Sequence, residues 1–335
     1  MRNPAAAALL LFAACGAGRS EVQRFGGPTM GSTYEVKFVG DAAVAAVQAV
    51  VAEELAAFDQ AFSQWREDSE IAKVNAHAST EPFPVSARFA AVLQTALDIA
   101  LATEGAFDPT VKPLSDLYRA AKRDPQHHFD AAAADAARQR VGWRFVSLRD
   151  GMLVKARPDV QLDLDGLVAG ACADAIAARL APFRLQGLYL ELTGEVLCRG
   201  DKGADGPWCI GVVDPAADAA GGDAPIRTLA LRDAALCTSG DYRNAFVADG
   251  AAVHHVFDPR TGKNPERIVV SASVLAPSAA VADALGTAFL VLGDEAVPKL
   301  WPSLARFGVT GALLLMPGAG GTLRPLEITW PKDDS

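Results

Sequence analysis

The stretch IVVSASVLAPSAAVADALGTAFLVLG, residues 268–293, places a strand directly against a helix. IVVSASVLAP reads as a strand, and a helix is expected over Ser278–Val291. On such a helix Asp283 and Thr287 are four residues apart and share a face. A carboxylate and a hydroxyl are hard oxygen ligands of the kind Mg²⁺ takes. A helix with one polar spot is the plainer reading of the pair.

Just upstream lies YRNAFVADGAAVHHVFDPRTGKNP, two alternating runs around Asp249-Gly250 that read as a hairpin. Its second run carries two of the five histidines in the chain. In a strand His254 and His255 point to opposite faces, so they cannot share a role. Further upstream, VSLRDGMLVKAR reads as two short strands around another Asp-Gly turn. LYLELTGEVLCRG, WCIGVVDP and IRTLALRD read as further strands, and STYEVKFVG as the first. Helical periodicity covers residues 42–63 and 87–103, a helix begins near Asp130, and another runs through VAGACADAIAARLAPF to Pro182. Strands and helices mix without strict alternation, so the expected fold class is α/β in the α+β, mixed-sheet sense.

The 335 residues are 50% hydrophobic and 21% charged, enough for a real core, and the net charge is −9. An acidic chain has no electrostatic reason to wrap nucleic acid. It would hold phosphate groups locally, by backbone N–H groups, helix ends or a metal ion. The start, MRNPAAAALLLFAACGAGRS, has one Arg, an apolar run from Ala5 to Ala14, then Cys15. That is a secretory pattern, with FAAC as a lipoprotein-type cleavage box and Cys15 as the lipidated residue. The expected organisation is a signal peptide over 1–14, a tether over 15–24 and one domain over 25–332. No other run looks long and apolar enough to span a membrane. Cys198 and Cys209 flank RGDKGADGPW, expected to be a hairpin loop, across which the two thiols could pair. Two buried small residues are the alternative. The Gly/Asp/Ala-rich residues 216–225 read as a surface loop.

Other segments carry weaker signals singly. In LDLDGLVAGACAD, Asp163 and Asp165 precede a glycine turn into a helix, a place for a phosphate or simply a capped helix entry. TEGAFDPTVKPL and PTMGSTYEV look like loops exposing Phe107 and Met30, and Trp65 sits among polar residues. Such side chains can flank a flat ring, though core packing is the commoner use.

Eight blocks in order, MGSTYEV, FSQWREDSEIAKVN, GAFDPTVKPL, DLDGLVAGACAD, LTGEVLCRG, TSGDYRNAF, HHVFDPRTGKNP and SVLAPSAAVADALGTAFLVLG, resemble the ApbE family of FAD:protein FMN transferases, often bacterial lipoproteins. The resemblance implies a two-lobed domain similar to the T-fold, with FAD in the cleft between lobes. It implies Mg²⁺-dependent transfer of FMN from FAD to a Ser or Thr hydroxyl of a target flavoprotein, giving a phosphoester and AMP. Position by position it puts flavin contacts at Met30, Trp65, Ala106, Phe107, Asp108, Asp165, Ala171 and Phe257. It puts metal ligands at the Val168 carbonyl, Asp283, the Gly286 carbonyl and Thr287, and the family histidine at His255. It implies a periplasmic protein of the bacterial cell envelope, lipid-anchored to the inner membrane. Ala169 and Ala171 depart from the family in standing where Lys and Tyr are common, and Thr193 stands where glycine is usual. A metal-dependent FAD diphosphatase giving FMN and AMP is the first alternative. A non-enzymatic flavin-binding assembly factor for a respiratory complex is the second.

Overall fold

The computed structural model describes residues 21–215, 225–240, 245–248, 251–265 and 268–332. The expected signal segment, Cys15, the Asp249-Gly250 turn and residues 216–224 lie outside these. The chain opens with a hairpin, β1 (Gln23–Thr29) and β2 (Ser32–Val39), so STYEVKFVG is the second strand rather than the first. β1 also begins inside the span expected to be a tether.

Helices α1 (Val44–Phe62), α2 (Glu70–Ala76) and α3 (Ala87–Ala102) follow, with the two-residue strand β3 (Phe83–Pro84) between the last two. Ser69 and Ser86 begin α2 and α3 by accepting from the Ala72 and Phe89 N–H groups. Next come α4 (Lys112–Arg123), α5 (Ala131–Arg138) capped by Asp130, and the expected Asp-Gly hairpin, β4 (Val146–Arg149) with β5 (Met152–Lys155). Then follow α6 (Asp165–Leu180), β6 (Gly187–Leu192), β7 (Glu195–Gly200), β8 (Trp208–Val213), β9 (Pro225–Leu231) and β10 (Ala235–Gly240). The hairpin β11 (Ala245–Ala248) and β12 (Ala251–His254) precedes β13 (Ser271–Ala276), α7 (Ala279–Leu304), β14 (Gly311–Pro317) and β15 (Leu323–Ile328). α7 runs well past Val291, because Gly293 takes φ 75° and joins two helical segments across a kink.

Eight strands form one antiparallel sheet in the order β1-β2-β6-β7-β10-β13-β14-β15. Its central strands are buried on both faces. On β14, Ala312, Leu314 and Met316 pack toward the helices, while Leu313 and Leu315 join a second cluster under the β8–β9 hairpin. This explains the unbroken apolar run GALLLM, which covers two cores at once. The expected hairpin between Cys198 and Cys209 does not form: β7 pairs with β6 and β10, and β8 pairs only with β9. Cys198 is buried and Cys209 exposed, both as free thiols.

On the helical face, α6 packs against α1, α7 and the sheet. Residues Asp165–Phe183 have the length and hydropathy of a membrane span, contrary to the expectation that only the N-terminal run would come near. Their composition reflects burial between α1 and α7. The buried Glu54 of α1 ties the layer together by pairing with Arg88 of α3 and Arg179 of α6. A third cluster, Leu114, Tyr118, Ala134, Ala137, Val141, Ala248, Val253 and Phe257, joins α4, α5 and the β11–β12 hairpin into a smaller lobe.

Candidate functional site

Between that lobe and the ends of the main sheet opens a cleft of about 420 Å³. The turn after α3, α4, the start of α6, the end of β10, the end of α7's first turns and the residues after β12 all contribute side chains. Of the sequence-derived residues, Ala106, Phe107, Asp108, Asp165, His255, Phe257, Asp283 and Thr287 line it together. They come from four separate stretches of chain.

His254, the last residue of β12, is buried, and His255, just past the strand, is exposed to the cleft. The His255 ring lies 6.3 Å from the Tyr118 ring on α4. Asp258 does not orient it: its carboxylate accepts from the Arg260 backbone N–H, Nε and Nη2 at 2.8–2.9 Å and builds the following turn. Phe257 is buried in the small lobe's core, stacked on Phe129 at 5.9 Å, so it is packing and cleft wall at once. Phe107 is likewise buried rather than exposed.

Asp108 is almost fully buried. It accepts from the Thr110 N–H and Oγ1 and from the Trp143 N–H, at 2.7, 2.6 and 2.8 Å. Burial pushes its carboxyl up to about 6, with these hydrogen bonds pulling the other way. Asp165 is the first residue of α6, so no separate glycine turn precedes the helix; Gly166 lies inside its first turn. Asp163 Oδ1 accepts from the Asp165 N–H at 3.1 Å, and Arg119 of α4 bridges Asp163 and Asp165 at 3.0 and 2.8 Å. Desolvation at the cleft floor and then the charge of Asp163 hold the Asp165 carboxyl above its ordinary range, against Arg119. Its side chain is 55% exposed, so solvent screens part of this.

Asp283 is buried and accepts a single hydrogen bond, from the Gly170 N–H at 3.2 Å. Burial raises its carboxyl to about 7. One turn on, Thr287 Oγ1 lies 3.3 Å from Ser239 Oγ on β10. The lack of a side chain on Gly170 and Gly286 permits this crowding. A Cβ on Gly170 would sit 2.4 Å from the Ala279 carbonyl oxygen, and one on Gly286 2.8 Å from Ser239 Oγ. A buried carboxylate with one donor, beside two hydroxyls and helix carbonyls, is an oxygen-only set that fits a hard divalent cation. Among the described residues no three His, Cys, Asp or Glu side chains cluster as a metal site. A site with one carboxylate is of a different kind.

The remaining sequence-derived residues do not line the cleft. Val168 and Ala171 are buried on α6 and Gly286 on α7, so Val168 and Gly286 could offer only their carbonyls. Met30 is 40% exposed in the β1–β2 turn, at the end of the sheet where Glu195 and Thr238 meet the cleft. Trp65 is 78% exposed, and the Arg123 guanidinium of α4 lies 5.7 Å from its ring.

Sequence reasoning missed Ser115, Tyr118 and Arg119, which α4 presents at i, i+3 and i+4. Helical spacing in KPLSDLYRAAKR was the signal available. It also missed Asn75, whose amide accepts from the Leu162 N–H and donates to the Leu162 carbonyl at 2.6 and 2.9 Å. That pair pins the segment carrying Asp163 and Asp165 to α2.

The cleft thus brings a carboxylate–hydroxyl pair and a histidine just past a strand end together on one sheet-and-helix scaffold. The sequence profile of the ApbE family matches residues 30–309. The chain is 34% identical over 304 residues to the FAD:protein FMN transferase of Vibrio cholerae, covering 88% of this chain and 89% of that one. It is 32% identical to the Haemophilus influenzae protein of the same name, with coverage of 87% and 86%. The solved flavin transferase ApbE of Vibrio cholerae superposes with a TM-score of 0.80 at 28% identity, over 92% of this chain and 97% of that one. The apo flavinyl transferase ApbE of Pseudomonas stutzeri gives 0.79 at 30%, over 92% and 94%. The chain belongs to the ApbE family.

Proposed function

We propose that this protein transfers FMN from FAD to a Ser or Thr hydroxyl of a target flavoprotein, releasing AMP. The single observation that carries the reading is the convergence of His255, Asp283 and Thr287 on one cleft, in a chain whose full-length relatives carry that activity in their names. Phe107, Phe257 and Tyr118 supply apolar cleft walls suited to an isoalloxazine ring. The N-terminus of α6, at the cleft floor, presents a positive dipole end to the diphosphate.

In an acidic protein a diphosphate also needs a cation. Asp283 would hold Mg²⁺ by charge, with Thr287 Oγ1 and the Val168 and Gly286 carbonyls completing its oxygen shell. When bound, Mg²⁺ neutralises diphosphate charge and makes AMP a better leaving group. The acceptor hydroxyl attacks the FMN-side phosphorus, and the bond to the AMP phosphate breaks. His255 takes the hydroxyl proton as that bond forms, a role an imidazole fills near neutral pH. Arg119 holds Asp163 and Asp165 in place and keeps their charges from facing the diphosphate unpaired.

The same machinery with water as acceptor would be an FAD diphosphatase. Export and lipid anchoring at Cys15 rest on the sequence of residues 1–20, and the place in the periplasm at the inner membrane rests on the family resemblance. Replacing His255 by Ala tests the base. FMN transfer is expected to fall at least about 100-fold with FAD still bound, and transfer at the parent rate would remove His255 from the mechanism. Asp283→Ala should abolish Mg²⁺-dependent turnover, and turnover surviving in that variant would remove the cation site.

A further inference from the structure

β12 ends at His254, which pairs with Ala245, so His255 has left the ladder that would fix its backbone. The residues on either side of it are bound by a side chain nine residues on. Asn264 Nδ2 donates to the His254 carbonyl at 2.7 Å and to the Val256 carbonyl at 2.6 Å. Asn264 Oδ1 accepts from the His254 backbone N–H at 3.2 Å. The carbonyls of the two residues that flank His255 are therefore bound to the same amide. Two carbonyls facing one atom require it to be the NH₂ group, which fixes the orientation of the amide and excludes an acid at this position.

Asn264 is itself anchored. The Asp258 N–H donates to the Lys263 carbonyl at 2.8 Å, and the Gly262 N–H donates to the Asp258 carbonyl at 2.8 Å. Asp258 in turn clamps Arg260. The DPRTGKN turn thus folds back to deliver an amide to the histidine's own backbone. Asn264 does not line the cleft and reaches substrate only through His255.

We propose that Asn264 is the positioning residue for His255, setting the direction in which the imidazole enters the cleft. This rests on the reading of His255 as the base. A misplacement of about 1 Å at a reacting group lowers rates by about 100-fold, the scale on which losing these three hydrogen bonds is read.

The test uses Asn264→Ala and the isosteric Asn264→Asp, which removes the double donor without changing volume. AMP release from FAD is followed with Mg²⁺ and the acceptor flavoprotein present, FAD affinity by flavin fluorescence, and folding by the thermal midpoint. In both variants kcat is expected to fall about 10- to 100-fold while FAD affinity stays within about twofold. In a His255→Ala background, Asn264→Ala should then change the residual rate by less than about twofold, since the group it aims is gone. If the two losses multiply in the double variant, Asn264 acts on the fold and not through His255, and the proposal fails. If His255→Ala is inactive but Asn264→Asp turns over at the parent rate, the positioning role fails while the base assignment stands. A fully active His255→Ala overturns both. Should Asn264→Ala fail to fold, Asn264→Asp carries the comparison alone, in the parent and in the His255→Ala background.

Discussion

Thr193 departs from what its backbone asks for. It turns β6 into β7 with φ 57°, followed by Gly194 at φ 107°, a two-residue turn with both residues in the left-handed half of the map. A β-branched side chain there is strained by about 1–2 kcal/mol. The turn is nevertheless held, by the Thr193 N–H donating to the Thr33 carbonyl and the Gly194 N–H donating to Glu191. Thr193→Gly is expected to stabilise the protein by about 0.5–1 kcal/mol once the entropy of glycine is subtracted. Chemical denaturation measures this, and an unchanged or lower midpoint would show that the strain is relieved elsewhere. At this scale the sequence was informative where residues act through type and spacing: His255 was separated from His254 by alternation, and Asp283 and Thr287 by helical period. Asn264 and Asn75 were not legible. Each satisfies backbone groups on a segment distant in sequence, and nothing in the local pattern of an asparagine announces that.

Among the elements, α6 and α7 determine whether the cleft exists in working form. They approach so closely at Gly170 that its N–H reaches the Asp283 carboxylate, and Asp174 of α6 caps α7 by accepting from Ser278 Oγ and the Ala279 and Ala280 N–H groups. Gly170→Val should force the helices apart. The expected results are a loss of about 3 kcal/mol in denaturation and weaker retention of Mg²⁺ in a titration. A variant of parent stability would mean that the two helices repack freely. Most helices were readable from period and caps, since those signals are local. Strand partners were not. The hairpin expected around RGDKGADGPW failed because pairing is decided by which faces need covering: β8 is required over the second face of the sheet, where Trp208, Ile210 and Val212 bury Val196, Leu236 and Leu313. The apolar length of α6 looked unremarkable in sequence and is explained by the burial of its residues 167–173 in the main core between α1 and α7.

Over the whole molecule, the acidic cleft ties stability to pH and to cations. Asp283 is raised to about 7 and Asp108 to about 6, above the unfolded value near 4. Groups raised in the folded state contribute stability that is fully present below about pH 4 and lost as pH rises through their folded values. With a chelator present, the thermal midpoint should therefore carry a downward component between about pH 4 and pH 7. Asp283→Asn should flatten the upper part of that slope. Added Mg²⁺ should raise the midpoint more at pH 8 than at pH 5, because only the ionised carboxylate attracts it. Equal shifts at both pH values would argue against Asp283 as the cation's charged ligand. The central claim, that this cleft moves FMN onto protein, is tested most directly by incubating the protein with FAD, Mg²⁺ and a candidate acceptor flavoprotein. Flavin fluorescence is then followed on a denaturing gel, with AMP measured alongside. The account predicts a fluorescent acceptor band, flavin mapped to a Ser or Thr, and one AMP released for each flavin attached. Free FMN and AMP with an unlabelled acceptor, across the acceptor flavoproteins tried, would contradict transfer and leave hydrolysis as the reaction.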